Sequence, residues 1–443
     1  MVKWIALAAV IAVIVWISVR GLNRAPVTPT PPAKPALTIW WAQWDPAVGL
    51  QELGQEYEKA TGVKVTVQQI PWQTYQDQVF LNFGNKQTDF DIVIGDSQWI
   101  GRGATKGLYL DLTDWAKATV KLDEINKTAL KYLCEYPTGS GKLFALPCET
   151  DAVGFAYRKD WFADPAEQAA FKAKYNVDLE PPQTWDEFKQ VAEFFTRSAD
   201  KRYGCALLTG RGYDSLVMGF QNLFWVYGGS WGDPKTFETS CMVNSDGAIE
   251  ALRFMKELMA SSPAGGSDMD YGKTMEVFRN GSAAMAMNYF AFFPGLVKDM
   301  GDKVGFFTMP GKNGKCAISL GGQGFSVSAK VSPAQQELAK QFIAWFQTKP
   351  VQEQWITKPA GFTANEAILT SAEFRAKTPY NGPFAASMDS LQDFWNVPVY
   401  NELLAAAQRQ IGEALDGKID AKAALDALAK EHEVILKDAG LAK

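Results

Sequence analysis

The chain has 443 residues, 47% of them hydrophobic and 21% charged, with a net charge of −5. That length exceeds one ordinary core and favours two lobes, and the apolar share is ample for burying both. Residues 1–35 hold four cations and no acid, which leaves −9 for the rest, and a mildly acidic body without a basic cluster excludes a nucleic-acid partner.

Trp4 to Val19 is a nearly unbroken apolar run between Lys3 and Arg20. Its length lies between a signal-peptide core and the ~20 residues that span a bilayer. No A-x-A cleavage site follows, and the first cysteine is Cys134, so no lipoprotein cysteine is present. Residues 1–22 therefore read as a signal peptide or an uncleaved signal anchor, with the anchor preferred, although Arg20 and Arg24 fit the positive-inside rule poorly. Residues 23–35 are rich in proline, which removes donors and favours polyproline II. The segment reads as a stiff spacer of about 30 Å.

Leu37 to Trp41 is predicted as a strand, followed by a helix through Leu50, Leu53 and Tyr57 that Thr61-Gly62 ends. Val63 to Val67 alternates as the next strand, and this β–α–β opening implies a parallel pair with a right-handed crossover. A second helix runs through Tyr75, Val79, Leu81 and Phe83. Phe90 to Ile94 is then a buried strand that breaks into Gly95-Asp96-Ser97-Gln98-Trp99. Open α/β sheets bind ligands beyond the carboxyl ends of their strands, where Gln43, Trp44 and Asp45 and also Asp96, Gln98 and Trp99 fall. Aromatic faces cover the C–H patches of a sugar ring while amides and carboxylates take its hydroxyls. The competing reading makes the tryptophans packing residues and the acids helix caps.

Leu143 to Asp160 is the stretch around which the chain is organised. Its middle reads as a strand, and at a period of two Glu149 and Asp151 point to one side of the sheet. Two acids on one face fill a core badly. They suit a cleft that holds hydroxyl-bearing or cationic ligands, or else a salt bridge between lobes.

Beyond it, Thr184 and Glu187 form a capping box for a helix whose apolar face is Phe188, Val191, Ala192 and Phe195. The strand from Tyr203 runs into a glycine-flanked loop carrying Arg211, Tyr213 and Asp214. Asn222 to Trp225 is predicted as helical core, and Gly228 to Trp231 as a turn that exposes Trp231. Val243 to Met259 is an amphipathic helix. A buried strand ends in Asn288 to Phe292, where alternation separates Tyr289 from Phe290 and Phe292; Tyr289 is placed in the cleft and Phe292 in the core. Gly321-Gly322-Gln323-Gly324 lets backbone amides approach a ligand or permits a crossing turn. No phosphate-binding G-x-x-x-x-G-K-[ST] occurs. Ser332 caps a helix beginning at Pro333, and the last helix starts near Asp420 and carries the single histidine, His432, read as solvated. The five cysteines show no zinc spacing; Cys205–Cys241 is the first choice for a disulfide in an exported protein.

Several segments in this order resemble the bacterial family 1 extracellular solute-binding proteins: Leu37-Thr38-Ile39-Trp40-Trp41, Glu56 to Val65, Asp89-Phe90-Asp91-Ile92-Val93, Gly107 to Thr113, and the crossing strand from Ala145 to Phe162. The resemblance covers residues 36–443. It implies a two-lobed α/β periplasmic-binding-protein fold of class II, with residues 36–148 plus about 325–370 in the N-lobe and 149–324 plus about 371–443 in the C-lobe. It also implies a monomeric, periplasmic, non-enzymatic component of an ABC importer without a cofactor, tethered to the inner membrane if residues 4–19 are retained. Such a protein captures a sugar or polyol by hinge closure and passes it to permease subunits, the ATPase being another chain. By position in the family pattern Asp151 falls at an acidic ligand contact, and Arg211, Tyr213 and Asp214 resemble the second-lobe sugar loop; Trp231, Tyr289, Gly322 and Gln323 join the expected ligand set. Two rivals stand beside this reading. A glycoside-processing enzyme would use Glu149 and Asp151, but retaining enzymes hold their carboxylates ~5.5 Å apart across a bond. The same fold could instead bind glycerol phosphate or another non-sugar solute.

Overall fold

The computed structural model describes residues 35–263, 266–358 and 360–442. The apolar run at 4–19 and nearly all of the proline-rich segment lie outside them. Among the described residues no helix is long and apolar enough to cross a membrane.

The chain opens with β1 (Ala36–Ala42), α1 (Asp45–Thr61) and β2 (Lys64–Ile70). Gly62 stops α1 in the left-handed region, at φ +77, where glycine carries no Cβ penalty. β1 and β2 pair in parallel, as the β–α–β reading requires. α2 (Trp72–Asn82) follows, then β3 (Ile92–Asp96), which is parallel to β1. Leu81, placed by sequence on the apolar face of α2, is 78% exposed. The buried stripe of that helix runs instead through Tyr75 and Val79 toward Phe83.

β4 (Leu146–Arg158) is the long central strand, and β8 (Ile318–Val327) is its long antiparallel partner. The sheet order is β2-β1-β3-β8-β4-β6-β5. β5 is Tyr203–Ala206, β6 is Ala283–Tyr289, and β7 (Val304–Thr308) also pairs with β4, while β9 (Leu391–Gln392) adds to β8. From Leu146 to Ala152, β4 lies against β8; from Val153 to Arg158 it lies between β6 and β7. β8 in turn pairs with β3 from Gln323 onward. These two strands therefore belong to both halves of a two-lobed α/β molecule, the first lobe built on β1–β3 and the second on β5–β7.

Helices cover the sheet in both lobes. In the second lobe they include α3 (Trp185–Phe195), α4 (Ser215–Val226), α5 (Asp246–Leu258) and α6 (Tyr271–Arg279). The Thr184–Glu187 capping box is formed, and Phe188, Val191, Ala192 and Phe195 are buried beneath α3. α7 (Pro333–Phe346) is capped by Ser332 and packs Phe342 and Phe346 on Phe325 of β8. α8 (Tyr400–Leu415) and α9 (Ala421–Asp438) close the chain as an antiparallel pair.

Candidate functional site

Three side chains stand in a row across three neighbouring strands where the lobes meet. Asp96 ends β3 opposite Gln323 of β8, and Gln323 lies opposite Glu149 of β4. Residues directly opposite each other in a sheet share a face, so the three project together. Gln323 joins the row: its amide nitrogen donates to Oδ1 of Asp96 at 3.0 Å, and its Oε1 accepts the indole hydrogen of Trp41. A bulge at Cys148 shifts the register between Pro147 and Glu149. Without that extra residue Cys148 would face Gln323; the bulge puts Glu149 there instead. Opposite Thr150, Gly322 has φ +99, and a Cβ on it would lie 2.3 Å from the Glu149 carbonyl oxygen. Only glycine lets the two strands approach this closely.

Asp151 lies on the same face, two residues along, opposite Gly321. Its Oδ1 accepts from the Ala152 amide at 2.7 Å and its Oδ2 from the Ala291 amide at 3.1 Å. A Cβ on Gly321 would sit 2.5 Å from the Tyr289 ring, so the missing side chain makes room for that ring. Tyr289 donates to the Leu320 carbonyl at 3.1 Å and packs beside Tyr271, which donates to Oδ1 of Asp214 at 2.7 Å.

The two lobes touch over this row. Tyr213, from the loop before α4, donates to Oδ2 of Asp96 at 2.6 Å. Gln98 of the first lobe donates to the Met218 sulfur of α4 at 3.6 Å, and its Oε1 is buried with no partner. Gln76 of α2 reaches Asn401 of α8 at 2.9 Å. Trp44 sets its ring edge-on to Trp41 and Trp72, and its buried indole nitrogen also lacks a partner. Two surface hollows elsewhere, one lined by Gln168, Lys172 and Leu179 and one by Gln55 and Gly62, contain no buried polar side chain.

Burial dominates the electrostatics. It raises Asp151 to about 8 and Asp214 and Asp393 each to about 7, and it raises Asp96 as well. Glu149 is pushed well above the usual carboxyl range, first by burial and then by the charges of Asp151 and Asp96. Glu149 is 0% exposed, and neither of its oxygens has a hydrogen-bond partner. Among the described residues no lysine, arginine or histidine pairs with any of these five acids. Taking a carboxylate from water without a partner is costly, so such groups mark sites where something else supplies the partner.

Several expected contacts lie elsewhere. Arg211 forks onto Asp416 and also donates to the Gly412 carbonyl at 3.1 Å, which ties its loop to α8. Trp231 is buried against Phe224 and Phe394 and donates to Gln221 at 3.1 Å, so the glycine turn before it directs the ring inward. Trp99 is buried between Tyr75 and Phe80 in the first-lobe core. Gln43 and Asp45 are exposed at the start of α1. Cys205 is a buried free thiol beside Ser262 and Cys241 an exposed one, so the proposed disulfide is not formed. His432 is buried, with Nε2 2.8 Å from the Leu403 carbonyl, because α8 covers the face of α9 that carries it. Phe292 is half-buried and stacks on Tyr271, while Phe290 fills the core. The chain turns helical after Tyr289, and the alternation argument stops applying there.

Trp41, Tyr271 and Asp393 were not in the expected ligand set, and neither was Tyr400, whose buried hydroxyl has no partner. Asp393 stands in Gln392-Asp393-Phe394-Trp395-Asn396, the same mixture of acid, amide and aromatic that marked Asp96 to Trp99, and could have been found by it. Tyr271 follows an ordinary helix cap and carries no such signal.

Comparison with known proteins agrees with this architecture. The family described as "Bacterial extracellular solute-binding protein" matches residues 42–353. A "Probable ABC transporter-binding protein" of Deinococcus radiodurans is 28% identical over 290 residues, 62% of this chain and 63% of its own. The "Maltotriose-binding protein" of Pyrococcus abyssi is 25% identical over 266 residues, 59% of this chain and 51% of its own. The matched region thus spans between half and two thirds of these relatives. Among solved structures, an ABC transporter solute-binding protein from Agrobacterium radiobacter in complex with ribitol has a TM-score of 0.75 at 27% identity, covering 90% of this chain and 98% of that one. A maltose-bound protein of T. maritima also has a TM-score of 0.75, at 22% identity over 90% of this chain and 100% of that one.

Proposed function

Because this chain belongs to the bacterial extracellular solute-binding protein family, we propose that its two-lobed body captures a sugar or polyol outside the cytoplasm and delivers it to the permease of an ABC importer. The observation that carries the reading is the Asp96–Gln323–Glu149 row. It offers carboxyl and amide groups beside the Trp41–Trp44 aromatic pair, at the junction where Tyr213 bonds Asp96. Polar groups convergent on a buried junction, with aromatic walls, are what a polyhydroxylated guest requires. The ribitol in the Agrobacterium relative and the maltotriose named for the Pyrococcus one belong to the same chemical class.

The mechanism is hinge closure. β4 and β8 run through both lobes and would absorb the bend, with lobe boundaries near residues 148/149 and 324/325. Ligand contacts made by both lobes at once favour the closed form, because only they differ between the two states. Asp96, Gln98, Trp44 and Gln323 would contribute from the first lobe and the crossing strands, and Glu149, Asp151, Tyr213, Asp214 and Tyr289 from the other side. Export places the body in the periplasm, and retention of residues 4–19 would tether it there. Hydrolysis by Glu149 and Asp151 is disfavoured by their position on one face of one strand. Glycerol phosphate is disfavoured by five acids at the junction, three of them buried, with which no cation among the described residues pairs.

A thermal-shift screen over monosaccharides, oligosaccharides and polyols tests the reading, since a ligand that binds only the folded protein raises its apparent stability. At least one neutral or amine-bearing member should raise the melting temperature, and Asp96→Asn and Glu149→Gln should alter that response. Reducing-sugar release by the purified body, or a response limited to phosphate esters, would overturn it.

A further inference from the structure

The acids at the lobe junction outnumber what a neutral guest can balance. Asp96 satisfies both oxygens through Tyr213 and Gln323, and Asp151 through two backbone amides. Asp214 accepts from Tyr271. Asp393 accepts from its neighbour's amide through Oδ1 and leaves Oδ2 buried and unpartnered. Glu149 has two buried oxygens and no donor for either. The register sets its side chain in the row with Gln323 and Asp96, at the junction.

The titratable groups facing Glu149 are acids, neutral phenols and the Cys148 thiol, and β8 adds only the neutral Gln323 amide. β3 brings Asp96, β4 brings Glu149 and Asp151, the loop before α4 brings Tyr213 and Asp214, and the segment after β9 brings Asp393. α6, β6 and α8 bring Tyr271, Tyr289 and Tyr400. Tyr75 of α2 and Tyr109 stand behind Asp96, and Arg102 acts on Tyr109 alone while stacking on Phe80. The ion pairs of the described residues all lie elsewhere. A hydroxyl can donate a hydrogen bond to Glu149, but it brings no charge and leaves these acids protonated, whereas a cation lets them ionise in a dry site.

We infer that the guest is a polyhydroxylated compound bearing an amine, such as an amino sugar or amino polyol, and that its ammonium group is received by the Glu149 carboxylate. This rests on the sugar-or-polyol reading above and narrows it. The ammonium supplies the donors Glu149 lacks and the positive charge that the surrounding acids lack. A cation at this position also favours ionisation of its neighbours, so binding should strengthen as pH rises through the range where Asp151, Asp214 and Asp393 lose their protons.

The test uses the full body and matched pairs: neutral mono- and disaccharides and polyols, each beside its amino-deoxy counterpart, in thermal shift and then titration calorimetry at pH 6 and pH 8. The amine-bearing member of a responding pair should bind at least about tenfold tighter, as expected for one opposite charge in a partly dry site. For an amine whose own pKa is about 9 or higher, so that it keeps its proton throughout, the affinity should rise from pH 6 to pH 8. Glu149→Gln keeps the shape and should abolish the preference, bringing the amine-bearing member's affinity to within about threefold of the neutral member's in the same variant. A neutral member that binds as tightly as its amine counterpart would overturn the charge assignment and leave the sugar-or-polyol reading standing. Failure of every pair would overturn both. Unchanged amine preference in Glu149→Gln would overturn the role given to that residue.

Discussion

The phenol of Tyr213 donates to Asp96 at 2.6 Å across the junction of the two lobes, although the Tyr213 ring is itself 41% exposed. In the hinge closure proposed above, a contact made from the solvent side to a half-buried carboxyl would act as a latch that forms when the lobes come together. Gln408 of α8 holds the Tyr213 loop from another side, its amide donating to the backbone carbonyl of Tyr213.

Tyr213→Phe should therefore loosen the closed state while sparing the lobes themselves. A hydrogen bond to a charged group contributes about 1.5–3 kcal/mol, and the outer figure is reduced here by solvent access. For whichever solute the screen identifies, affinity should fall roughly tenfold and the urea midpoint should barely move. Calorimetry beside equilibrium unfolding separates the two. An unchanged affinity would mean the latch takes no part in capture.

Gly322 is the backbone condition for the site. At φ +99, with 2.3 Å between a would-be Cβ and the Glu149 carbonyl oxygen, Gly322→Ala meets both conformational strain and a clash with backbone that cannot rotate away. The expected loss is about 3 kcal/mol. Urea unfolding monitored by tryptophan fluorescence measures it. Because β4 would have to shift to relieve the clash, the variant should also lose ligand response even where it remains folded.

The raised carboxyls set a pH dependence with a definite sign. Asp151 at about 8 and Asp214 and Asp393 at about 7 hold their protons in the folded state where the unfolded chain has lost them. The folded form thus binds more protons, and ligand-free stability falls as pH rises from about 4 to about 8, then levels off. His432 works in the opposite sense, since burial holds its folded value at about 4, below the ordinary imidazole value of about 6.5, and its effect is nearly complete by about pH 7.5. The window from about pH 7.5 to 8.5 is therefore left to the acids, Asp151 above all. Urea midpoints across it should decline for the wild type and decline less for Asp151→Asn.

Much of this arrangement was legible in short stretches. Gly62 as a helix stop, the Thr184–Glu187 box and the shared face of Glu149 and Asp151 are local patterns whose geometry follows from one element's period. What escaped was set by contacts between distant segments. The bulge at Cys148 brings Glu149 opposite Gln323, and nothing in Pro147-Cys148-Glu149 announces it. The helical turn at Phe290 ended an alternation that the residue types would have allowed to continue. His432 looked solvated because its helix alone does not reveal that α8 lies over it. Asp393 is more than two hundred residues from Glu149, and only the fold brings its carboxyl into the same group of acids.

Trp231 separates a buried support from a ligand contact. Its ring lies 4.5 Å from Phe224 and 4.8 Å from Phe394, centre to centre, and its nitrogen donates to Gln221, which donates to Ser319 of β8 at 2.6 Å. Trp231→Ala removes a large buried side chain and should cost about 3–5 kcal/mol. Trp231→Phe keeps most of the ring but leaves the Gln221 oxygen without its donor, for about 1–2 kcal/mol. In both variants, ligand affinity measured on the folded fraction should stay within about threefold of wild type, because the ring supports α4 from behind and does not face the row of acids. A tenfold loss of affinity in Trp231→Phe, at near-normal stability, would instead place that ring against the solute.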